Sequence, residues 1–180
     1  MRGVWWIGLL AAMGCSGGDN AKAVPALAQV PDSVAREVVS VLPEDARLAR
    51  PVSRGDVGLG DSFVVVWSIK DVPGFSAGVV ADGKLHHLPA LHGERVPHRI
   101  GGVMAVQADA DSAGELVVLL DFEEARPERR MTPQERPFEP VVVDHGAAGF
   151  VRVAELEAAV SGLSRPNEIR EKLLPAPGDI

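Results

Sequence analysis

The chain has no tyrosine, one cysteine and few other aromatic residues, and each shortage removes a class of protein. Two of its three tryptophans, Trp5 and Trp6, fall within the first fifteen residues, which leaves Trp67 and five phenylalanines for the rest. Sugar-binding faces and base-stacking platforms are built from exposed rings, so the scarcity argues against both. The lone cysteine, Cys15, rules out an internal disulfide framework and a cysteine-based zinc cluster. Positive charge is short as well: the formal net charge is −7, so no overall positive field exists to attract a phosphate backbone. Nucleic acid is therefore not an expected partner. What is present, 180 residues with 46% hydrophobic content, suits one globular domain with a real core.

The single cysteine stands in a particular place. Met1-Arg2 supplies a short positive start, Val4 to Met13 is an unbroken stretch of apolar residues and Gly, and Gly14-Cys15 ends it before the polar run Ser16 to Asn20. This is the order of a secretory leader: charged start, apolar centre, small residue at the cleavage boundary. About ten apolar residues span roughly 15 Å as a helix, half of a bilayer's hydrocarbon core, so the segment reads as targeting rather than as a membrane span.

Ala12-Met13-Gly14-Cys15 resembles the lipobox of bacterial lipoproteins, with Ala12 where that family most often has Leu. The resemblance implies a signal peptide over residues 1–14, acylation of Cys15 and a membrane-anchored mature protein. Ser16 after the cysteine resembles the outer-membrane sorting class, and the preference for arginine, fourteen against four lysines, resembles small lipoproteins of Gram-negative bacteria. Membrane lipid reached through Cys15, and an envelope protein, are then the expected partners. Acyl chains contribute on the order of 0.8 kcal/mol per buried methylene, enough to hold a domain at a membrane without any apolar protein surface.

Residues 15–31 carry little periodicity and read as the lipidated cysteine and a tether, with a single domain over 32–180. Within it, Val34, Val38, Val39 and Leu42 recur at helical spacing after a cap at Asp32 or Ser33 and stop before Pro43. Ser62 to Ile69 is a β-branched and aromatic run bounded by turn formers, the best candidate for a central strand. Further strands are expected at Phe75–Ala81, Lys84–Pro89, Arg99–Gln107, Glu115–Phe122, Phe138–Asp144 and Phe150–Val153, with a hairpin turn at Asp82-Gly83. No long helix separates them, so an antiparallel meander of about six to seven strands is predicted. Val153, Leu156, Val160 and Leu163 share a helical face, and Pro166, Asn167 and Glu168 open a second helical turn through Ile169, Leu173 and Leu174 before Pro175 and Pro177. A short N-terminal helix, a sheet and C-terminal helices make an α+β protein. Ala125 to Pro137, with four Arg and three Pro, reads as a long exposed loop that could meet anionic lipid or an acidic partner.

Candidate chemistry is thin. Gly74-Phe75-Ser76-Ala77-Gly78 matches the G-x-S-x-G nucleophile elbow, and Asp144 and His145 follow in the order of a hydrolase triad. An elbow needs a helix after the serine, however, and Val79 to Gly83 reads as a strand entering a hairpin. His86, His87, His92 and His98 could ligate zinc or copper if one loop gathered them, yet neighbouring residues in a strand face opposite ways. His92-Gly93-Glu94 has the H-x-E spacing of zinc deaminases without the cysteines those sites need. Asp109, Asp111 and Glu115 stand at positions from which calcium loops draw oxygen ligands, and the stretch resembles the FG-GAP loop of integrin-type propellers. Ala113 occupies the place of the third acidic ligand, and no second copy occurs. The expectation is a lipid-anchored envelope protein that binds or supports, without a cofactor; the alternatives are a small serine hydrolase using Ser76 or a weak calcium or zinc domain.

Overall fold

The computed structural model describes residues 27–108, 114–122, 138–163 and 165–174. In chain order the elements are β1 (Ala28–Gln29), α1 (Asp32–Val39), β2 (Ala46–Leu48), β3 (Ser53–Gly55), β4 (Ser62–Ile69), β5 (Val72–Ala81), β6 (Lys84–His87), β7 (Arg99–Val106), β8 (Glu115–Asp121), β9 (Glu139–Gly146), β10 (Gly149–Arg152), α2 (Ala154–Val160) and α3 (Pro166–Leu173). All pairing among them is antiparallel, so the α+β class and the meander are as expected.

The strands form two sheets rather than one. The first runs β1-β3-β4-β5-β6, with β2 also on β4; the second runs β10-β9-β8-β7. They face each other across a shared core to which Val64, Val66 and Val79 contribute from the first sheet and Leu116, Val118, Leu120, Val141 and Val143 from the second. On the far side of the first sheet, Val65, Trp67 and Val80 pack against Val38 of α1. On the far side of the second, Val117, Leu119 and Val142 pack against Val160, Ile169 and Leu173 of α2 and α3. The result is four layers: helix, sheet, sheet, helices.

This layering explains why the strands read as near-continuous apolar runs. A sheet with one wet face alternates apolar and polar residues, whereas one covered on both faces cannot. β8 (ELVVLLD) is buried at every position. In β7 a register shift between Ile100 and Gly102 lets Ile100, Val103 and Ala105 all face the shared core despite their unequal spacing. Gly101 sits at that bulge with the Phe138 ring against it, where an added Cβ would come within 2.1 Å.

Three strands were not expected from the sequence. β2 and β3 are three residues each and lie end to end along the same edge of β4, β2 opposite Trp67–Ile69 and β3 opposite Ser62–Val64. Ala49 continues the pairing with an N–H to Val66 O at 2.9 Å, and Pro51, which has no N–H, stands at the break. β1 pairs Ala28 with Arg54 and Gln29 with Ser53, and Val30 N–H reaches Val52 O. Residues 28–31 therefore belong to the sheet and helix entry, inside the segment expected to be tether. The cap of α1 also differs: Pro31 occupies that position with no side-chain bond, and Asp32 lies in the first turn, where the helix dipole favours a carboxylate.

Asp82 and Gly83 both have positive φ, 50° and 70°, as the two-residue hairpin turn demands. Among the described residues no helix is long and apolar enough to cross a membrane. Cys15, Asp109, Asp111 and the Ala125–Pro137 segment lie outside the described residues.

Candidate functional site

β5 is regular in one half and irregular in the other, and the irregular half forms one wall of a cleft. From Phe63↔Val80 to Trp67↔Ser76 the β4–β5 ladder runs residue for residue, but the next partners are Ile69 and Val72. Pro73, Gly74 and Phe75 thus stand opposite Ser68 alone, a bulge whose backbone turns through Gly74 at φ +95°. Glycine is required there twice over. The left-handed conformation disfavours a side chain, and the His92 imidazole lies so close that a Cβ would come within 2.1 Å of Nε2.

The neighbouring strand stops short. β6 ends with His87 opposite Gly78, and after Leu88 N–H bonds Ala77 O at 2.9 Å the chain leaves the sheet. The crossover, residues 88–98, then folds over the uncovered flank of β5 on its way to the second sheet. Leu88 and Leu91 plunge into the shared core and fix its course. Arg95 is held to Glu139 and stacks over the Phe122 ring at 4.2 Å. Arg152 reaches Ala90 O at 3.4 Å, His98 N–H reaches Asp121 O at 2.7 Å, and the Arg99 guanidinium pairs with the buried Asp121 carboxylate at 2.6 Å.

Between strand and crossover lies a cleft of about 220 Å³. Its walls are polar and apolar in about equal measure: Phe75, Leu88 and Leu91 are among the apolar residues, and its side-chain polar groups are Ser76, His87 and His92. Both rings are positioned. His92 Nδ1 donates to Gly93 O at 3.0 Å, and His87 meets the edge of Trp67 with ring centroids 5.8 Å apart. Trp67 is buried and its indole N–H has no hydrogen-bond partner.

The sequence-predicted candidates separate. Ser76 is exposed and lines this cleft, but it lies within a continuing strand, with Gly78 to Ala81 following in regular pairing rather than a helix. His145 does not line the cleft. It packs on Gly58, in the loop that enters β4 at its first residue, and edge-on to Phe150 at 4.8 Å, whereas Ser76 is paired near the last residues of β4. Five steps along the strand, from Ser62 to Trp67, separate those levels, roughly 17 Å. The fold thus brings Ser76 toward His87 and His92 and not toward His145. His86 and His87 face opposite ways in β6, opposite Val79 and Gly78 in turn, as strand geometry requires. Glu115 is buried, and its carboxylate accepts the Ala108 N–H at 2.7 Å, bracing the ends of β7 and β8. Among the described residues no three of His, Cys, Asp or Glu are grouped to hold a metal ion.

A second, more open groove of about 520 Å³ runs from Phe138 and Pro140 at the start of β9 to Ser161 and Gly162 after α2. Its charged floor is already paired. Glu157 accepts two bonds from Arg152, at 2.9 and 2.7 Å, and the Val142 N–H at 3.1 Å. The guanidinium of Arg152 is held above its ordinary pKa chiefly by that hydrogen bond to Glu157.

The Pro73-Gly74 pair was the sequence mark of the bulge, since Pro-Gly inside an apolar run denotes a turn or break. No local pattern foretold that His92 would close on it from eighteen residues away. Fold and cleft together define, among the described residues, a small four-layer α+β domain with a partly enclosed cleft lined by two imidazoles. No protein-family model, curated protein or solved structure matches the chain.

Proposed function

We propose that the chain is a lipid-anchored protein of the bacterial cell envelope, its domain held at the outer membrane through Cys15 and serving a binding or structural role. The observation that carries this reading is the sequence Met1 to Cys15: charged start, a ten-residue stretch of apolar residues and Gly, then Gly14 before the only cysteine. The domain's geometry is compatible with such an anchor. β1 enters the first sheet at the level of Phe63, so the chain arrives at the end of the sheet opposite the β4–β5 hairpin, near which the cleft opens. The twelve residues between Cys15 and Ala28 reach at most about 40 Å when extended, and a ligand could approach the cleft from the side away from the lipid.

Intact mass and membrane partitioning, measured on the protein expressed in a Gram-negative host beside a Cys15→Ser variant, test the anchor. Acylated mass and membrane association in the wild type, both lost in the variant, are the expected result. An unmodified, freely soluble wild type refutes it.

The hydrolase alternative keeps one observation in its favour, the exposure of Ser76 in a cleft that also holds two imidazoles. Against it stand the strand on both sides of Ser76 and the remoteness of His145. Covalent labelling of Ser76 by a fluorophosphonate would decide for the alternative.

A further inference from the structure

We infer that the cleft between β5 and the crossover is a binding site for a small organic monoanion, an apolar body bearing one carboxylate, recognised by Ser76, His87 and His92. The inference rests on the reading of the domain as a binder and is independent of its anchor.

Charge complementarity carries it. Among the described residues, His87 and His92 are the only ionisable ones lining the cleft; no described Asp, Glu, Lys or Arg shares its walls. An imidazole is neutral or positive and never negative, and a serine hydroxyl donates as readily as it accepts. A cationic ligand would find no counter-charge there. A carboxylate finds donors in the Ser76 hydroxyl and the His87 ring, and a third in His92 Nε2 when that ring is cationic, since its Nδ1–H is held by Gly93 O; hydrogen bonds to an ionised acceptor are the stronger kind. The cleft's apolar residues, Phe75 among them, leave room for an apolar body beside those polar groups, the mixture that small-molecule sites use.

Preorganisation adds to it. His92 is fixed between Gly93 O and the bare backbone of Gly74, and His87 is braced by Trp67, so less side-chain freedom is lost when a ligand binds. The larger groove beside α2 lacks these features, since Glu157 and Arg152 there satisfy each other.

Benzoate, benzyl alcohol and benzylamine form a matched series of anion, neutral and cation on one apolar body. Each is titrated into the ¹⁵N-labelled full-length chain in zwitterionic detergent, with backbone amide shifts as the readout. Benzoate is expected to give saturable shifts at Gly74, Ser76, His87 and His92 and to bind roughly tenfold more tightly than benzylamine. About that factor should be lost in the His87→Gln/His92→Gln double variant, and less in Ser76→Ala. Equal affinity for all three probes overturns the anion assignment. No saturable shift in the cleft at millimolar benzoate, or shifts confined to another surface, overturns the site. Amide dispersion shows whether each variant is folded, and Ser76→Ala, at an exposed position, keeps the test decisive if the double variant is not. Loss of benzoate binding leaves acylation of Cys15 untouched, and failure of acylation leaves the benzoate series untouched, so the two readings fail separately.

Discussion

β8 and β5 are both long strands in the middle of the chain, and they are put to opposite uses. β8 is paired on both edges, by β7 and β9, covered on both faces, and buried from Glu115 to Asp121. β5 is buried only from Ala77 to Ala81; its first five residues are exposed or half-exposed, carry a proline and a positive-φ glycine, and lack a neighbour along one flank. A strand enclosed on every side can only contribute stability. A strand released on one side can offer side chains to solvent, at the cost of leaving backbone groups that might recruit another chain. Proline answers that hazard. Pro73 has no N–H to present on the bare stretch of β5, and in β9, where β10 also stops early, Pro140 stands on the uncovered side while Glu157 takes the Val142 N–H.

If that division holds, truncation in β8 should cost far more than truncation in the exposed half of β5. Leu119, fully buried between the second sheet and the C-terminal helices, is the sharpest probe. Leu119→Ala should destabilise the fold by about 2–5 kcal/mol, the range for a large side chain removed from a core that cannot collapse around the gap. Ser76→Ala should change stability by less than about 0.5 kcal/mol, as exposed positions do. Chemical denaturation of the two variants side by side measures both, and comparable losses would erase the distinction between the strands.

The comparison can also be broken within β5. Gly74→Ala should destabilise by about 1–3 kcal/mol, because alanine is strained at positive φ and its Cβ would press into His92. The more telling consequence is local: the His92 ring must move, so its imidazole resonances should shift while those of the shared core stay in place. A variant with wild-type stability and an unmoved His92 would mean that the bulge does not fix the cleft.

The two strands also differ in how far they could be read from sequence. β4 and β8 were visible as apolar β-branched runs, and β5 and β6 were betrayed by Asp82-Gly83 between them, because those patterns are local. That the strands would divide into two facing sheets was not local. A run such as Val117 to Leu120 looks the same whether helices or a second sheet cover its faces. β2 and β3 are not legible in the sequence because three residues carry no periodicity; they are strands only because β4 offers them an edge. The same limit applied to the cleft. Ser76 was singled out for its glycine neighbours, and its expected partner was His145, chosen by order along the chain, whereas the histidines that reach the cleft come from the end of β6 and from the crossover.

A smaller effect should come from the device that closes β9. Glu157→Ala removes the partner of Arg152 and leaves the Val142 N–H without its acceptor, while Pro140 needs none. The expected loss is about 1–2 kcal/mol, mostly from the unsatisfied backbone donor, since Arg152 is itself partly exposed. Hydrogen exchange at Val142 should quicken in step. If stability falls without faster exchange there, Glu157 acts through its ion pair alone.

The smallest effect belongs to the exposed pair Arg54–Asp61, which joins β3 to the loop entering β4 at the end of the first sheet remote from the cleft. The Asp61 carboxyl is held below its ordinary value first by the hydrogen bond from Arg54, with desolvation opposing it and the Arg54 charge assisting. A carboxylate whose pKa is depressed in the folded state stabilises the fold at pH values above its unfolded pKa, and that contribution disappears as pH falls through the folded value. Both side chains are more than half exposed, so solvent and salt should reduce the benefit to nearly nothing. Arg54→Gln should therefore raise the Asp61 titration midpoint, seen by carboxyl NMR, while leaving the thermal midpoint within error. A clear thermal loss would mean that this exposed end contributes to stability as the enclosed strands do, and that the contrast between enclosed and exposed regions is narrower than burial alone implies.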